Sequence, residues 1–239
     1  MTSNGAMEWA VERETSPKHC VHGSEFPQQN RTVLRRARGF SLLEMMIVVC
    51  IGMTLTAVTF MSLQPMLKQA HVDSAYNTTL MTLRNYRSKA ITERKRYIVA
   101  FNAPNTITVS YWGVGVPVAP APVVVSTFTL PNDVQFMVQA GMPSTATTVP
   151  DGFGNGGTAV DFGQGLGLGS LNYVMFMPDG SSQDQNNPSG NGDINSGVVY
   201  LGRANDLTSM RAVSVFGATG RIRGWRLYNP AGGAVWTQQ

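Results

Sequence analysis

The spacing of polar and apolar residues divides the chain into three parts. The first part contains 23 residues without a formal charge, Met45–Leu67. At 1.5 Å per helical residue this run is long enough to cross the roughly 30 Å hydrocarbon layer of a membrane, and it predicts a transmembrane helix over residues 40–67. A cluster of cations directly precedes it: Arg31, Arg35, Arg36 and Arg38. The positive-inside rule therefore places residues 1–39 in the cytoplasm and predicts that the chain after Lys68 is exported.

The second part, residues 68–96, predicts an amphipathic continuation of the same helix. Apolar side chains recur there at helical spacing: Val72, Tyr76, Leu80, Leu83 and Ala90. We interpret this stripe as the surface that packs onto the exported domain. The cations between them are interpreted as a solvated face, with a contact to another subunit as the alternative: Arg84, Arg87, Lys89, Arg94 and Lys95.

In the third part, residues 97–239, the apolar period becomes two, which is typical of strands. The predicted strands are Tyr97–Asn102, Thr106–Trp112, Val123–Leu130, Val134–Val138, Asn172–Met177, Val198–Leu201, Arg211–Phe216 and Arg221–Tyr228. Gly-rich and polar stretches, Asp151–Gly169 and Asp179–Gly197, are predicted to be loops. A long helix followed by many short strands favours an α+β fold, in which the helix packs on an antiparallel, sandwich-like β domain.

The composition argues against most enzyme classes. Charged residues make up only 13% of the chain, against about 25% in typical soluble domains. The predicted exported part contains one histidine, His71, and no cysteine, so common acid–base and nucleophilic sites lack members. The His19, Cys20 and His22 cluster offers too few ligands for a metal site. We therefore expect no enzyme activity, no cofactor and no metal.

One carboxylate, Glu44, lies at the start of the apolar run, where a charge is costly unless a cation pairs with it. The residues from Arg35 to Glu44 read Arg-Arg-Ala-Arg-Gly-Phe-Ser-Leu-Leu-Glu. This segment resembles the prepilin processing site of type IV pilins and type II secretion pseudopilins. The resemblance implies that an inner-membrane prepilin peptidase removes residues 1–39 by cutting after Gly39 and methylates the new amino terminus at Phe40. It also implies that Glu44 pairs with the amino terminus of a neighbouring subunit.

The sequence departs from that family in two respects. A leader of 39 residues is long, so Met7 is an alternative start. The helix-kinking proline of the family corresponds to Met61 here, whereas this chain has Pro65 four residues later. A proline removes one helical hydrogen bond and can kink the helix, so the helix geometry near the membrane exit is left open.

The C-terminal part resembles the GspH/FimT group of minor pseudopilins and pilins. Four segments carry this resemblance in order: Phe176–Ser181, Gly197–Leu201, Arg211–Val215 and Thr219–Arg223. Residues 103–170 match only in their strand-and-loop character. The resemblance implies a minor pilin or pseudopilin subunit of a type IV pilus or a type II secretion filament. Its partners would be other pilins or pseudopilins, the inner-membrane assembly machinery, the prepilin peptidase and the membrane.

A second functional hypothesis rests on C-terminal arginines. In an extended strand, Arg221, Arg223 and Trp225 project from one face, where guanidinium groups can bind phosphates and an indole can stack on a base. Further residues that could extend the patch are Arg203, Arg211 and Arg226, although alternation leaves Arg226 on the opposite face unless Gly224 forms a bulge. The Gly-Arg-x-Arg pattern resembles the FimT-like branch, which implies DNA binding for uptake in natural transformation. As the alternative, these arginines pair with aspartates of the middle segment or contact neighbouring subunits.

Two further patterns are weaker. The Gly152–Gly157 segment lacks the strand–turn–helix context and the lysine of a nucleotide site, and is interpreted as a flexible surface loop. Oxygen-bearing residues in the polar loop could hold Ca²⁺ but lack the EF-hand spacing, so an ordinary loop is favoured: Asp184, Asn186, Asn191, Asp193 and Asn195. The apolar run predicts a single-pass membrane protein, and the resemblance to pilins implies that it lies in the inner membrane, has a periplasmic C-terminal domain and can enter a filament.

Overall fold

The computed structural model describes residues 39–112, 122–154, 156–164, 170–184 and 194–239. Helix α1, Leu42–Glu93, contains 52 residues and continues through Pro65 without interruption. The boundary between the two compact units of the chain falls within this helix, between Val49 and Cys50. The second unit, Cys50–Gln239, contains all the strands described below.

Two antiparallel sheets follow the helix. Along the first sheet the strands are β3 (Val123–Thr129), β2 (Thr106–Trp112), β1 (Arg96–Asn102), β6 (Tyr173–Phe176) and β7 (Ser182–Gln183). Along the second they are β11 (Val235–Gln238), β10 (Arg221–Tyr228), β9 (Asp206–Phe216), β8 (Ser196–Arg203) and β4 (Gln135–Phe136), and β5 (Val160–Gln164) also pairs with β8. A long helix packed against antiparallel sheets confirms the predicted α+β class.

The predicted apolar stripe of α1 is buried, as expected. Its five members all lie in one hydrophobic core together with residues of both sheets: Val72, Tyr76, Leu80, Leu83 and Ala90. The first sheet contributes Val99 and Val109, and the second contributes Val199 and Val213. The helix and the two sheets therefore share a single core, which is the main reason for the helix to dock on the strands.

Strand β10 lies along the helix and makes two close approaches to it. At Gly224 an added Cβ would overlap the Tyr76 hydroxyl, and at Gly220, with a φ of 62°, it would overlap the Arg87 side chain. Only a glycine leaves room for these side chains. Since Gly220 faces Arg87 and Gly224 faces Tyr76, the strand and the helix run in opposite directions.

The other face of the second sheet carries a smaller core. Val198, Tyr200 and Trp236 lie there, covered by Met142 and Phe153 from the segment that precedes β5. Phe153 belongs to the glycine-rich stretch, and Gly154 approaches the Val198 and Tyr200 side chains. Within the segment interpreted as a flexible surface loop, Phe153 and Gly154 thus pack on the sheet, whereas Gly152 and Gly157 are exposed.

The eight predicted strands are all present within a few residues of their expected bounds. Three further strands, β5, β7 and β11, were not predicted. Strand β5 lies inside the glycine-rich stretch that the sequence predicts to be a loop, and its Asp161 is buried and accepts a hydrogen bond from Ser170 at 2.8 Å. The buried Asp161 and the glycine two residues later, Gly163, interrupt the alternation of apolar and polar residues by which a strand is predicted.

Candidate functional site

The residues of the N-terminal motif lie at the beginning of α1. Gly39, Phe40 and Ser41 precede the helix, and Glu44 occupies its first turn. The Phe40 side chain is 75% exposed and Glu44 is exposed as well. A carboxylate in the first turn interacts favourably with the helix dipole. A cut after Gly39 would leave a short non-helical amino terminus directly before the helix.

The surface of α1 from Leu42 to Leu67 is apolar and uncovered. An 18-residue window of this helix has a mean hydropathy of 2.2, none of it is buried, and the helix is long and apolar enough to cross a membrane. The threonine hydroxyls of this segment donate to backbone carbonyls one turn earlier, at 2.7–2.9 Å: Thr54, Thr56 and Thr59. Their hydroxyl protons are therefore satisfied within the helix, as a hydrocarbon environment requires.

Three of the six residues proposed to contact DNA bind aspartates instead: Arg203, Arg211 and Arg223. Arg203 Nε lies 3.2 Å from Asp133 Oδ2, and its Nη1 lies 3.5 Å from Asp206 Oδ2. Arg211 is only 1% exposed, and its Nη2 donates to Asp73 Oδ1 at 2.9 Å. Burial lowers the pKa of Arg211, while the hydrogen bond to Asp73 acts in the opposite direction. The expectation that Arg211 extends an exposed patch is wrong, because its guanidinium lies inside the protein.

Arg223 and Trp225 project to the same face, and both take part in one hydrogen-bonded network. Arg223 Nη1 lies 2.6 Å from Asp151 Oδ1. The Ser214 hydroxyl donates to the other Asp151 oxygen and accepts from Trp225 Nε1 at 2.9 Å. Asp151, at a φ of 53°, lies in a single 3-10 turn, Pro150–Gly152. The network therefore holds this turn against the sheet, and it agrees with the alternative in which an arginine pairs with an aspartate of the middle segment.

The two remaining arginines are exposed and lie on different faces. The Arg221 guanidinium carbon lies 5.6 Å from the centre of the Phe216 ring. The pairing of β10 with β9 shows no register shift at Gly224, so Arg226 stays on the face of Ile222. The six candidate residues therefore lie in separate groups and do not form one patch. DNA binding by these residues stays a prediction.

The comparisons with known proteins match the first part of the chain. The family model described as the prokaryotic N-terminal methylation motif matches residues 34–60, which include Gly39, Phe40 and Glu44. This match supports a type IV pilin-like protein. It implies assembly with pilus or secretion machinery, and with the apolar helix it indicates anchoring in a membrane. No curated protein and no solved structure matches the chain.

In this pilin-like chain, sequence reasoning missed a groove between α1 and the β9–β10 turn. A cavity of about 570 Å³ is lined by Arg84, Arg87, Thr219, Gly220, Arg221 and Ile222. Arg87 Nε donates to the Gly180 carbonyl at 3.1 Å and its Nη2 to the Thr219 carbonyl at 2.9 Å. Among the described lining residues there are three guanidinium groups and no carboxylate. The helix cations were interpreted as a solvated face, but Arg87 forms hydrogen bonds that connect two loops to the helix.

Gly180 and Thr219 belong to two of the segments on which the resemblance to the GspH/FimT group rests. Arg87 therefore gives these two short motifs a structural role, since it joins the turn after β6 to the turn after β9. Periodicity could not reveal this role, because the partners are backbone carbonyls distant in sequence.

The other predicted sites are only partly described. In the polar loop, Asp184 accepts a hydrogen bond from the Tyr173 hydroxyl at 2.8 Å, and Asn195 accepts one from the Gly163 amide. Asn186, Asn191 and Asp193 lie outside the described residues, as do the 1–38 leader residues with the His19–His22 cluster.

Proposed function

We propose that the protein is a minor pilin or pseudopilin subunit of a type IV pilus or a type II secretion filament. A prepilin peptidase processes it after Gly39 and methylates Phe40. One observation carries this proposal: the match to the methylation motif, residues 34–60, extends into an uncovered helix that carries no charged residue from Met45 to Leu67. An exposed apolar surface of this length requires lipid or the helices of other subunits around it.

In this proposal Glu44 directs assembly. It is the only charged residue between Phe40 and Leu67, and a carboxylate costs roughly 2.5–3.5 kcal/mol at the centre of a bilayer and less near its edge. The methylated amino terminus of a neighbouring subunit supplies the cation that removes this cost. Pairing is therefore most favourable when subunits associate, and lateral packing of the apolar helices then completes the assembly.

We further propose that residues 1–39 lie in the cytoplasm and that the domain after Lys68 lies in the periplasm. The arginines that precede the apolar segment support this orientation. In this role the protein is a structural subunit and a substrate of the peptidase rather than an enzyme.

The test of this proposal is the fate of a Glu44→Gln variant. The chain is co-expressed with a prepilin peptidase and the remaining filament subunits, and processing and recovery in the sheared filament fraction are measured separately. We expect Glu44→Gln to be processed but absent from filaments. The matched control is Glu93→Gln, which removes an exposed carboxylate from the other end of the same helix and should assemble normally. Normal incorporation of Glu44→Gln would contradict the assembly role.

We also propose a second candidate function, DNA binding for uptake, which the arginine groove favours. Arg221 is exposed on the strand side of the groove, and Arg84 is exposed on the helix side. Arg203, Arg211 and Arg223 already bind aspartates, so Arg221 and Arg84 are the residues that support this function best. Binding would be independent of sequence and dependent on salt, because the contacts are to phosphates.

DNA binding is tested by titrating the full chain in detergent with labelled duplex and single-stranded DNA at several salt concentrations. The Arg84→Gln/Arg221→Gln variant should bind more weakly, and the slope of log K against log salt should fall by about 0.9 for each lost contact with duplex DNA. Arg94→Gln, which removes an exposed cation directly after the helix that does not line the groove, should bind like the wild type. Equal binding by the double variant and the wild type would exclude this site.

A further inference from the structure

The course of β10 brings one end of the second sheet close to the end of the apolar helix segment. Gly220, directly before β10, faces Arg87, and Gly224 within the strand faces Tyr76. When the side-chain oxygen of Gln69 faces the guanidinium groups of Arg211 and Arg226, it accepts a hydrogen bond from Arg226 Nη2 at 3.0 Å. The strand thus descends along the helix from Arg87 to Gln69 between its residues 220 and 226.

This descent locates Tyr228 relative to the membrane. Two strand residues beyond Arg226 add about 6.6 Å, which corresponds to roughly four helical residues. Tyr228 therefore lies beyond Arg226 in the direction of Pro65, toward the end of the apolar segment before Lys68. Its ring is 63% exposed. Tyrosine is enriched at this depth, where its ring lies among the headgroups.

A cleft opens at the same end of the sheet. A cavity of about 610 Å³ is lined by Thr208, Arg226, Leu227, Tyr228, Asn229, Thr237 and Gln239. The exposed Arg226 guanidinium provides a charged donor in a fork geometry that fits phosphate oxygens. The Thr237 hydroxyl and the Asn229 amide add neutral donors, which suit a phosphodiester.

The charges around the cleft leave Arg226 available for an anion. Gln69 contacts both Arg226 and the buried Arg211. The nearby carboxylate of Asp73 forms its ion pair with Arg211. Asp206, which accepts from the cleft residue Thr208, also binds Arg203. No ion pair of Arg226 with a carboxylate occurs among the residues that the structure describes.

We propose that this cleft binds the phosphate of an anionic phospholipid, with Arg226 as the charged ligand and Tyr228 inserted among the headgroups. The inference rests on the membrane span of α1 and is independent of the filament to which the subunit belongs. Such a contact would fix the orientation of the exported domain on the membrane before assembly.

The test uses the full chain reconstituted into vesicles, with flotation as the first readout. Hydrogen exchange of the β10–β11 turn is then compared between vesicles of phosphatidylcholine alone and vesicles that also contain phosphatidylglycerol. We expect the anionic lipid to slow exchange of this turn about fivefold, the factor that one cation contributes at an anionic surface. Arg226→Gln should abolish the difference, whereas Arg221→Gln, an exposed arginine at the other end of the same strand, should retain it.

The outcomes separate the parts of the argument. A chain that fails to float refutes the membrane span and with it the headgroup site. A chain that floats but shows equal exchange in both vesicles, or an unchanged difference in Arg226→Gln, refutes the headgroup site alone. Equal protection of the detergent-solubilised chain by glycerol phosphate would assign the cleft to a soluble phosphate and overturn the lipid proposal.

Discussion

Arg211 has the largest side chain among the fully buried residues that the structure describes. Its guanidinium donates to the carbonyls of Thr208 and Met210, both at 3.2 Å, and to the carboxylate of Asp73. Asp73→Asn keeps a side-chain oxygen as acceptor and removes only the negative charge. The variant therefore isolates the effect of a buried arginine that has lost its counter-ion.

The expected cost follows from the unequal burial of the pair. Breaking a fully buried ion pair costs about 3–5 kcal/mol, whereas exposed pairs contribute about 0–1 kcal/mol. The Arg211 side chain is 1% exposed but that of Asp73 is 48% exposed, so water screens one partner. We expect Asp73→Asn to lower the free energy of unfolding by about 2 kcal/mol, which lowers the Tm by about 4–8 °C in a domain of this size.

The assay is thermal unfolding of the full chain in detergent, followed by tryptophan fluorescence. Asp206→Asn is the matched control, since its arginine partner, Arg203, retains Asp133 at 3.2 Å. This control should shift the Tm by less than about 2 °C. If Asp73→Asn is no less stable than Asp206→Asn, the reasoning about the buried charge is refuted, and Arg211 becomes a candidate surface ligand again.

Three further predictions concern the contacts between helix and sheets. Gly224→Ala should lower the free energy of unfolding by about 1–3 kcal/mol, because the added Cβ overlaps the Tyr76 hydroxyl. Gly232→Ala, where an added Cβ has nothing within 4 Å, should be neutral in the same unfolding assay. Equal stability of the two variants would contradict the close approach. Arg87→Met removes two hydrogen bonds to carbonyls and should speed hydrogen exchange in the β9–β10 turn at least tenfold, and unchanged exchange would show that the arginine does not fasten it. Burial, with a hydrogen bond to a carboxylate, raises the pKa of Tyr97 from 10.0 to about 12. Since folding favours the neutral phenol, the contribution of Tyr97 to stability is complete below pH 10 and is lost as the pH rises through about 12. Tyr97→Phe should lack this loss of Tm at alkaline pH. Identical profiles of Tm against pH for the variant and the wild type would refute the assignment.

Periodicity predicted the parts of the fold in which burial alternates regularly. The apolar stripe from Val72 to Ala90 was found because one helix face is buried at constant spacing. Strand β5 was missed because Asp161 and Gly163 interrupt the alternation. Strand β11 was missed because a short strand after a glycine-rich turn carries too few apolar positions to establish a period.

The candidate sites show the same division. A linear motif such as Gly39–Glu44 is visible in sequence because its residues act within a few positions of one another. The arginines are different, since their roles depend on partners that are 70–138 residues away: Arg203 with Asp133, Arg211 with Asp73, and Arg223 with Asp151. Strand alternation assigns a side chain to a face but does not show whether another segment covers that face.

The processing of the amino terminus tests the central claim most directly. The chain is co-expressed with a prepilin peptidase, and the amino-terminal peptide of the membrane fraction is determined by mass spectrometry. The account predicts a mature chain that begins with N-methylated Phe40, and a Gly39→Val chain that keeps its leader. A wild-type chain that keeps residues 1–39 despite active peptidase, or one that is cut after the apolar segment as a secretory signal would be, contradicts the account.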